Sequence, residues 1–112
     1  MKIVFTTQGE NWDSSIDPRF GRTQMALVYD EAAKKLHVLS NGAKDDAQGA
    51  GLKMAVKVLK TGADVIITGN GVGEKAIKVL QESPVKVFIG AGEMSVYEAY
   101  EAYKQGALLQ QL

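Results

Sequence analysis

The most constraining feature of this chain is a change of hydrophobic period near residue 50. Before it lie three short runs rich in β-branched and aromatic residues, at 3–7, 24–30 and 35–40, each of which reads as a strand. The last two are separated only by Glu31-Ala32-Ala33-Lys34. So short a link forces an antiparallel pair, because parallel strands need a crossover. After residue 50 the period becomes helical. Leu52, Ala55, Val56, Leu59 and Ala63 predict one face of a helix stopped at Gly62. A doubly buried strand at 64–68 follows, then a helix with Ala76, Ile77, Val79 and Leu80 on one side and Glu74, Lys75, Lys78 and Glu82 on the other. A strand at 85–89 comes next. The last helix opens on Ser95-Val96-Tyr97-Glu98, a capping-box pattern, turns Val96, Ala99, Tyr100 and Tyr103 inward, and ends near Gly106. The order is β-β-β-α-β-α-β-α. Antiparallel pairing in the first half and crossovers in the second predict an α/β fold: a mixed sheet of about five strands with helices on its faces.

The 112 residues suit one domain spanning 1–112. Thirteen basic residues balance 13 acidic ones, which argues against a nucleic-acid binder that works by neutralising many phosphates. With no cysteine and His37 as the lone histidine, disulfides, thiolate metal sites and paired-histidine zinc sites are excluded. No apolar run approaches the roughly 18 residues that span a bilayer, and the first strand is too short for a secretory signal, so a cytoplasmic location is expected.

Three segments carry the polar chemistry. In Thr68-Gly69-Asn70-Gly71-Val72-Gly73-Glu74-Lys75, glycines at alternate positions join a buried strand to a helix. Gly69, Asn70, Gly71 and Gly73 are candidates for a backbone anion cradle, or for a tight turn whose glycines serve geometry alone. The segment has neither the lysine-serine ending of a phosphate loop nor the setting of a dinucleotide fingerprint. Gln48-Gly49-Ala50-Gly51 enters the first helix in the same manner, with Gln48, Gly49 and Gly51 as candidates. Strand ends at Thr7, Thr68 and Ile89 should open on one sheet edge, where open α/β sheets collect ligands. The third segment, Asp17-Pro18-Arg19-Phe20-Gly21-Arg22, lies in a polar loop long enough to suggest function. Arg19 and Arg22 offer planar donor forks for carboxylate, phosphate or sulfide-cage ligands. Alternatively Asp17 pairs with one of them as a loop clamp, with Phe20 as an apolar plug and Gly21 at the turn.

Other residues carry less. Lys53, Lys57 and Lys60 share a helix flank and read as a solvated face. His37 sits in a strand among apolar neighbours, more a surface residue than a metal ligand. Met25 and Met94 read as gap fillers, and Trp12 as a plug or lid. A two-metal nuclease would need acids converging from the first strand; residues 2–7 contain none.

The Asp17-x-Arg19-Phe20-Gly21-Arg22 loop, the Gln48-Gly49-Ala50-Gly51 helix entry, and Gly62-Ala63-Asp64-Val65-Ile66-Ile67-Thr68-Gly69 leading into residues 71–76 occur in an order that resembles the dinitrogenase iron–molybdenum cofactor biosynthesis family. Val96-x-x-Ala99 before Gly106-x-Leu108 extends the likeness over nearly the whole chain. The resemblance implies a ribonuclease H-like mixed sheet of order 3-2-1-4-5. It also implies a nitrogen-fixation-related carrier role for an iron–sulfur or molybdenum-containing cluster, with cofactor-assembly or iron–sulfur proteins as partners. This chain departs from the family pattern in lacking cysteine and in reading Gly73-Glu74 where a Gly-Pro pair is usual, so any cluster would be held non-covalently. The expectation is a non-catalytic binding module for a small anionic ligand. The alternatives are a small enzyme acting on a phosphorylated metabolite or nucleotide, and a regulatory interaction domain pairing through the 35–40 edge.

Overall fold

Six strands and three helices follow one another as β1 (Lys2–Thr7), β2 (Met25–Asp30), β3 (Lys35–Ser40), α1 (Ala50–Lys60), β4 (Val65–Ile67), α2 (Glu74–Leu80), β5 (Lys86–Ile89), α3 (Val96–Lys104) and β6 (Leu109–Gln110). The computed structural model describes residues 1–42, 45–46 and 48–112; residues 43, 44 and 47 of the connection before α1 lie outside this description. The strands form one sheet of order β3-β2-β1-β4-β5-β6. As the short link requires, β2 and β3 pair antiparallel, as do β1 and β2. The neighbours β1, β4 and β5 run parallel.

The five-stranded expectation needs correction. Past the Gly106 turn the chain reverses and adds β6 antiparallel to β5. Nothing in the local pattern marks this strand: it has two residues, and Leu109 is 70% exposed. Its register comes from elsewhere, through bonds between the Val87 backbone and Gln111 and Leu112.

Strand alternation divides the core in two. Val4, Ala26, Val28, Ile66 and Val87 face Met54, Ala55 and Val58 of α1 and Ala76 and Leu80 of α2. On the opposite face Ile3, Phe5, Leu27, Val65 and Ile67 meet Val96 and Ala99 of α3, together with Ile16 from the first loop. Trp12 joins this second layer as a plug, edge-on to Tyr29 at 4.9 Å and to Phe5 at 6.3 Å.

The buried stripe of α1 also differs from expectation. Ala50, Met54, Ala55 and Val58 are inside, whereas Leu52 and Val56 are 39% and 40% exposed. Both stripes have helical spacing, and the position of the helix over β1 and β4 chose between them. In α2 the expected inner residues Ala76 and Leu80 are buried, but the helix stops before Glu82.

Candidate functional site

The ends of β1, β4 and β5 open on one edge of the sheet, and the glycine-bearing connections gather there. Gly69 lies so close to the first loop that an added Cβ would stand 2.6 Å from Pro18 Cα and 3.0 Å from Gly92 Cα. The amide of Asn70 donates to the Pro18 carbonyl at 2.8 Å, and the Gly90 amide donates to Gly69 at 3.0 Å. Gly21 presses on the start of α1, where a Cβ would meet Gly51 Cα and N at 2.6 Å. Glycine is therefore required at 21 and 69 by main chain packed on main chain.

The 17–22 loop is held by its own carboxylate. Asp17 is fully buried and accepts from Arg19 Nε at 3.0 Å, Arg19 Nη2 at 3.1 Å and the amides of Arg19 and Gln24. Burial pushes its carboxyl up, but the hydrogen bonds from the Arg19 side chain and the two amides outweigh that and leave it below the usual carboxylate value. The clamp reading thus describes Arg19, whose side chain remains half exposed. Arg22 is exposed on the same loop. Phe20, at 3% exposure, plugs the α1–α2 core layer.

The three helix starts differ in what meets them. Unpaired first-turn amides carry a partial positive charge. At α3 they are used up: Ser95 and Glu98 form the expected capping box, and the Val96 and Tyr97 amides donate to carbonyls of Ser14 and Trp12. At α1 the cap position is Gly49, with φ of 78°, which has no side chain to contribute, and no acid stands in the first turn. The shorter α2 has Gly73 at its cap position, also without a side-chain cap, and Glu74 in its first turn. These two starts lie side by side and enclose a groove of about 370 Å³ lined by Gly49, Gly51, Leu52, Gly73, Glu74, Lys75 and Ala76.

Of the residues expected from sequence, Gly49, Gly51 and Gly73 line this groove. Gly21 instead supports it by close packing on Gly51, and Gly69 packs away from it, on Pro18 and Gly92. Gln48 and Asn70 are exposed and do not line it. Gly71, with φ of 102°, turns the loop. His37 lies elsewhere: it is exposed on β3 and borders a separate cavity with Lys2, Asp30 and Thr61. Among the described residues no group of three or more His, Asp or Glu side chains could hold a metal ion.

Three supports were absent from the sequence reading. Gln111 brackets the glycine loop, accepting from the Val72 amide at 2.8 Å and donating to the Val72 carbonyl at 2.9 Å. Asn41 Nδ2 donates to the carbonyls of Gly21 and Thr23 at 2.9 and 3.0 Å, closing the end of the first loop. Thr6 and Thr68 join the strand ends through their hydroxyls. No local signal predicts the Gln111 contact, which spans 39 positions.

Against this geometry, the family model for the dinitrogenase iron-molybdenum cofactor matches residues 1–106. The chain belongs to that family. Among solved structures, this member of the dinitrogenase iron-molybdenum cofactor family is similar to the apo form of the orange protein from Desulfovibrio gigas. The two share 34% identity and a TM-score of 0.90, over 97% of this chain and 91% of the other. It is also similar to a Thermotoga protein of the DUF35 family, provisionally described as NifB, at 28% identity and a TM-score of 0.82, with the same coverage of 97% and 91%. A comparison with curated proteins found no match.

The residues of this family member can be tested against a metal–sulfur cluster. Without cysteine it offers no thiolate ligand. What the groove offers is backbone amide from an uncapped helix start, room beside Gly73, and the ammonium of Lys75, set against the carboxylate of Glu74 on the same lining. That donor set fits a preformed anionic cluster held by hydrogen bonds from main chain, and does not fit one coordinated by protein sulfur. No helix of the described residues is long and apolar enough to cross a membrane.

Proposed function

We propose that the protein is a non-catalytic carrier for a small polyanion of the metal–sulfur type, taken as cargo in the groove between the starts of α1 and α2. The observation that carries this reading is the difference between helix starts. Ser14 and Trp12 of the first loop lend their carbonyls to α3, whereas the start of α1, packed against Gly21 on one side, has no side-chain cap and is bordered on the groove side by glycines that let a ligand approach main chain. Membership of the family and likeness to the orange protein support a metal-cluster role. Among the described residues, Glu74 and Lys75 are the titratable side chains lining the groove, and neither is paired there with a hydroxyl or thiol nucleophile, which favours binding over turnover.

In this reading the first-turn amides of α1 face the anion and Lys75 supplies charge at the border. The guanidinium of Arg19, fixed by Asp17, stands on the loop packed against the α1 start. Cofactor-assembly or iron–sulfur proteins are the class of partner expected to load or receive such cargo. Anaerobic titration with tetrathiomolybdate, alone and with copper or iron salts, tests the proposal. Charge-transfer bands that survive desalting are expected, and they should weaken in Gly73→Leu, which fills the groove. A wild-type protein that leaves the column free of metal and colour sinks the carrier reading. Turnover in a panel of phosphatase, esterase and nucleotide-hydrolysis assays would replace it with an enzyme.

A further inference from the structure

Charge is unevenly divided between the helical layers. The helices α1 and α2 hold Lys53, Lys57, Lys60, Lys75 and Lys78 against one acid, Glu74. That is a net of +4 in a chain of formal charge +0, so everything outside these two helices carries −4. Lys53 is paired with Asp46, and Lys57 donates to the Ser40 carbonyl, which lays both side chains along one flank of α1. Beside that flank Leu52 and Val56 form an outward ridge one helical turn apart, 39% and 40% exposed. Single exposed aliphatic residues are ordinary. Two stacked on the outer face of a helix whose other side already fills the core, with lysines beside them, reproduce the apolar centre and charged rim of a protein interface.

We infer that the outer face of α1, continued by Lys75 and Lys78 of α2, is a docking face for an acidic protein partner that covers Leu52 and Val56 with apolar side chains of its own. Charge complementarity selects the occupant. A second copy would have to present its acidic remainder to this basic layer, a head-to-tail contact that builds rings or filaments and not a two-fold dimer. A nucleic acid would match the lysines but set phosphates against the aliphatic ridge. An acidic protein satisfies both features. The inference stands on the charge and exposure of the helices and holds whatever the groove carries. Leu52 also lines the groove, so a partner seated here would reach its mouth.

The test is a titration of the isotopically labelled full chain, followed by amide chemical shifts. The probe is a designed helical peptide bearing glutamates around a leucine seam, and the control has lysines in place of the glutamates. Shifts confined to α1 and α2 are expected with the acidic peptide, with binding at least about tenfold weaker at 300 mM than at 50 mM salt. The basic peptide should not bind. Val56→Ser and the pair Lys57→Glu with Lys60→Glu should each weaken binding at least about fivefold, with the melting temperature of the exposed Val56→Ser variant as the folding control. Several results would overturn the inference: shifts centred on β3 or α3, equal binding of the two peptides, or indifference to both variants. So would tighter binding of a DNA duplex or of phosphatidylserine vesicles through the same face, or self-association of the chain through α1 in light scattering.

Discussion

The side-chain oxygens of Thr6 and Thr68 lie 2.7 Å apart, fully buried, at the ends of β1 and β4. Thr6 Oγ1 also donates at 2.7 Å to the Asp17 carbonyl. A hydroxyl has one proton, so Thr68 must be the donor between the two threonines. The direction is fixed along the line Thr68 to Thr6 to Asp17, and the first loop is tied to the strand ends beneath it.

This directionality makes the two threonines unequal. Thr6→Val strands both the Asp17 carbonyl and the Thr68 hydroxyl, at a cost of about 2–3 kcal/mol. Thr68→Val deprives Thr6 of a donor while leaving its bond to Asp17 intact, and should cost about 1 kcal/mol. The double variant should cost less than the two single losses combined. Urea unfolding of the three variants checks the order, and equal single costs would contradict the assigned direction.

The Asp17 carboxyl predicts acid sensitivity. Its native pKa lies below the ordinary 3.8, so its contribution to stability is complete above the unfolded value and disappears as pH falls through the native one. Stability should therefore decline below about pH 4, and Asp17→Asn should flatten that part of the profile. At neutral pH Asp17→Ala should cost about 2–3 kcal/mol, because buried amides lose a charged acceptor. A wild-type and Asp17→Asn pair with parallel pH profiles would show that other carboxylates govern acid unfolding.

The glycines should separate into support and lining. Gly21→Ala and Gly69→Ala drive a methyl group into main chain at 2.6 Å and should each destabilise by about 1–3 kcal/mol. Gly73 has φ of −65°, with nothing within 4 Å of an added Cβ. Gly73→Ala should leave stability unchanged or raise it by a few tenths of a kcal/mol. Thermal melts of the three decide this.

Gln111 should control the mobility of the glycine loop. Gln111→Ala removes both bonds to Val72 and should cost about 1–2 kcal/mol. Gln111→Glu keeps the acceptor for the Val72 amide but sets a carboxylate oxygen against the Val72 carbonyl, and should cost more. Faster hydrogen exchange at the Val72 amide is the readout, and an unchanged rate in Gln111→Ala would mean that other contacts hold the loop.

Much of this architecture can be read from residues near one another in the chain. The period change at residue 50, the short 31–34 link and the Ser95–Glu98 box are local signals, and they determine strand pairing, helix order and the α3 cap. The glycine connections and the sheet edge on which they meet are legible for the same reason. Contacts between distant segments are not. The choice between the Leu52–Val56 stripe and the Met54–Val58 stripe depends on how α1 lies on the sheet. The β6 strand depends on Val87, and the Gln111 bracket on Val72, each far away in sequence. The Asp17 clamp was legible as an alternative to free donors, but not which arginine it holds, since Asp17 had two within reach.

The close approach of Gly21 to Gly51 on the lining of the groove has a consequence for redesign. Where one stretch of main chain rests directly on another, the shape of the recess is inherited from the path of the polypeptide and resists adjustment through side-chain choice. Position 73 is different: it borders the recess, has an ordinary backbone conformation and has open space beside it. A cysteine placed there would introduce the first sulfur ligand into a scaffold that otherwise offers only nitrogen and oxygen donors at this recess. Such a protein would let one fold compare a cluster retained by hydrogen bonds with the same cluster anchored by a covalent metal–sulfur link.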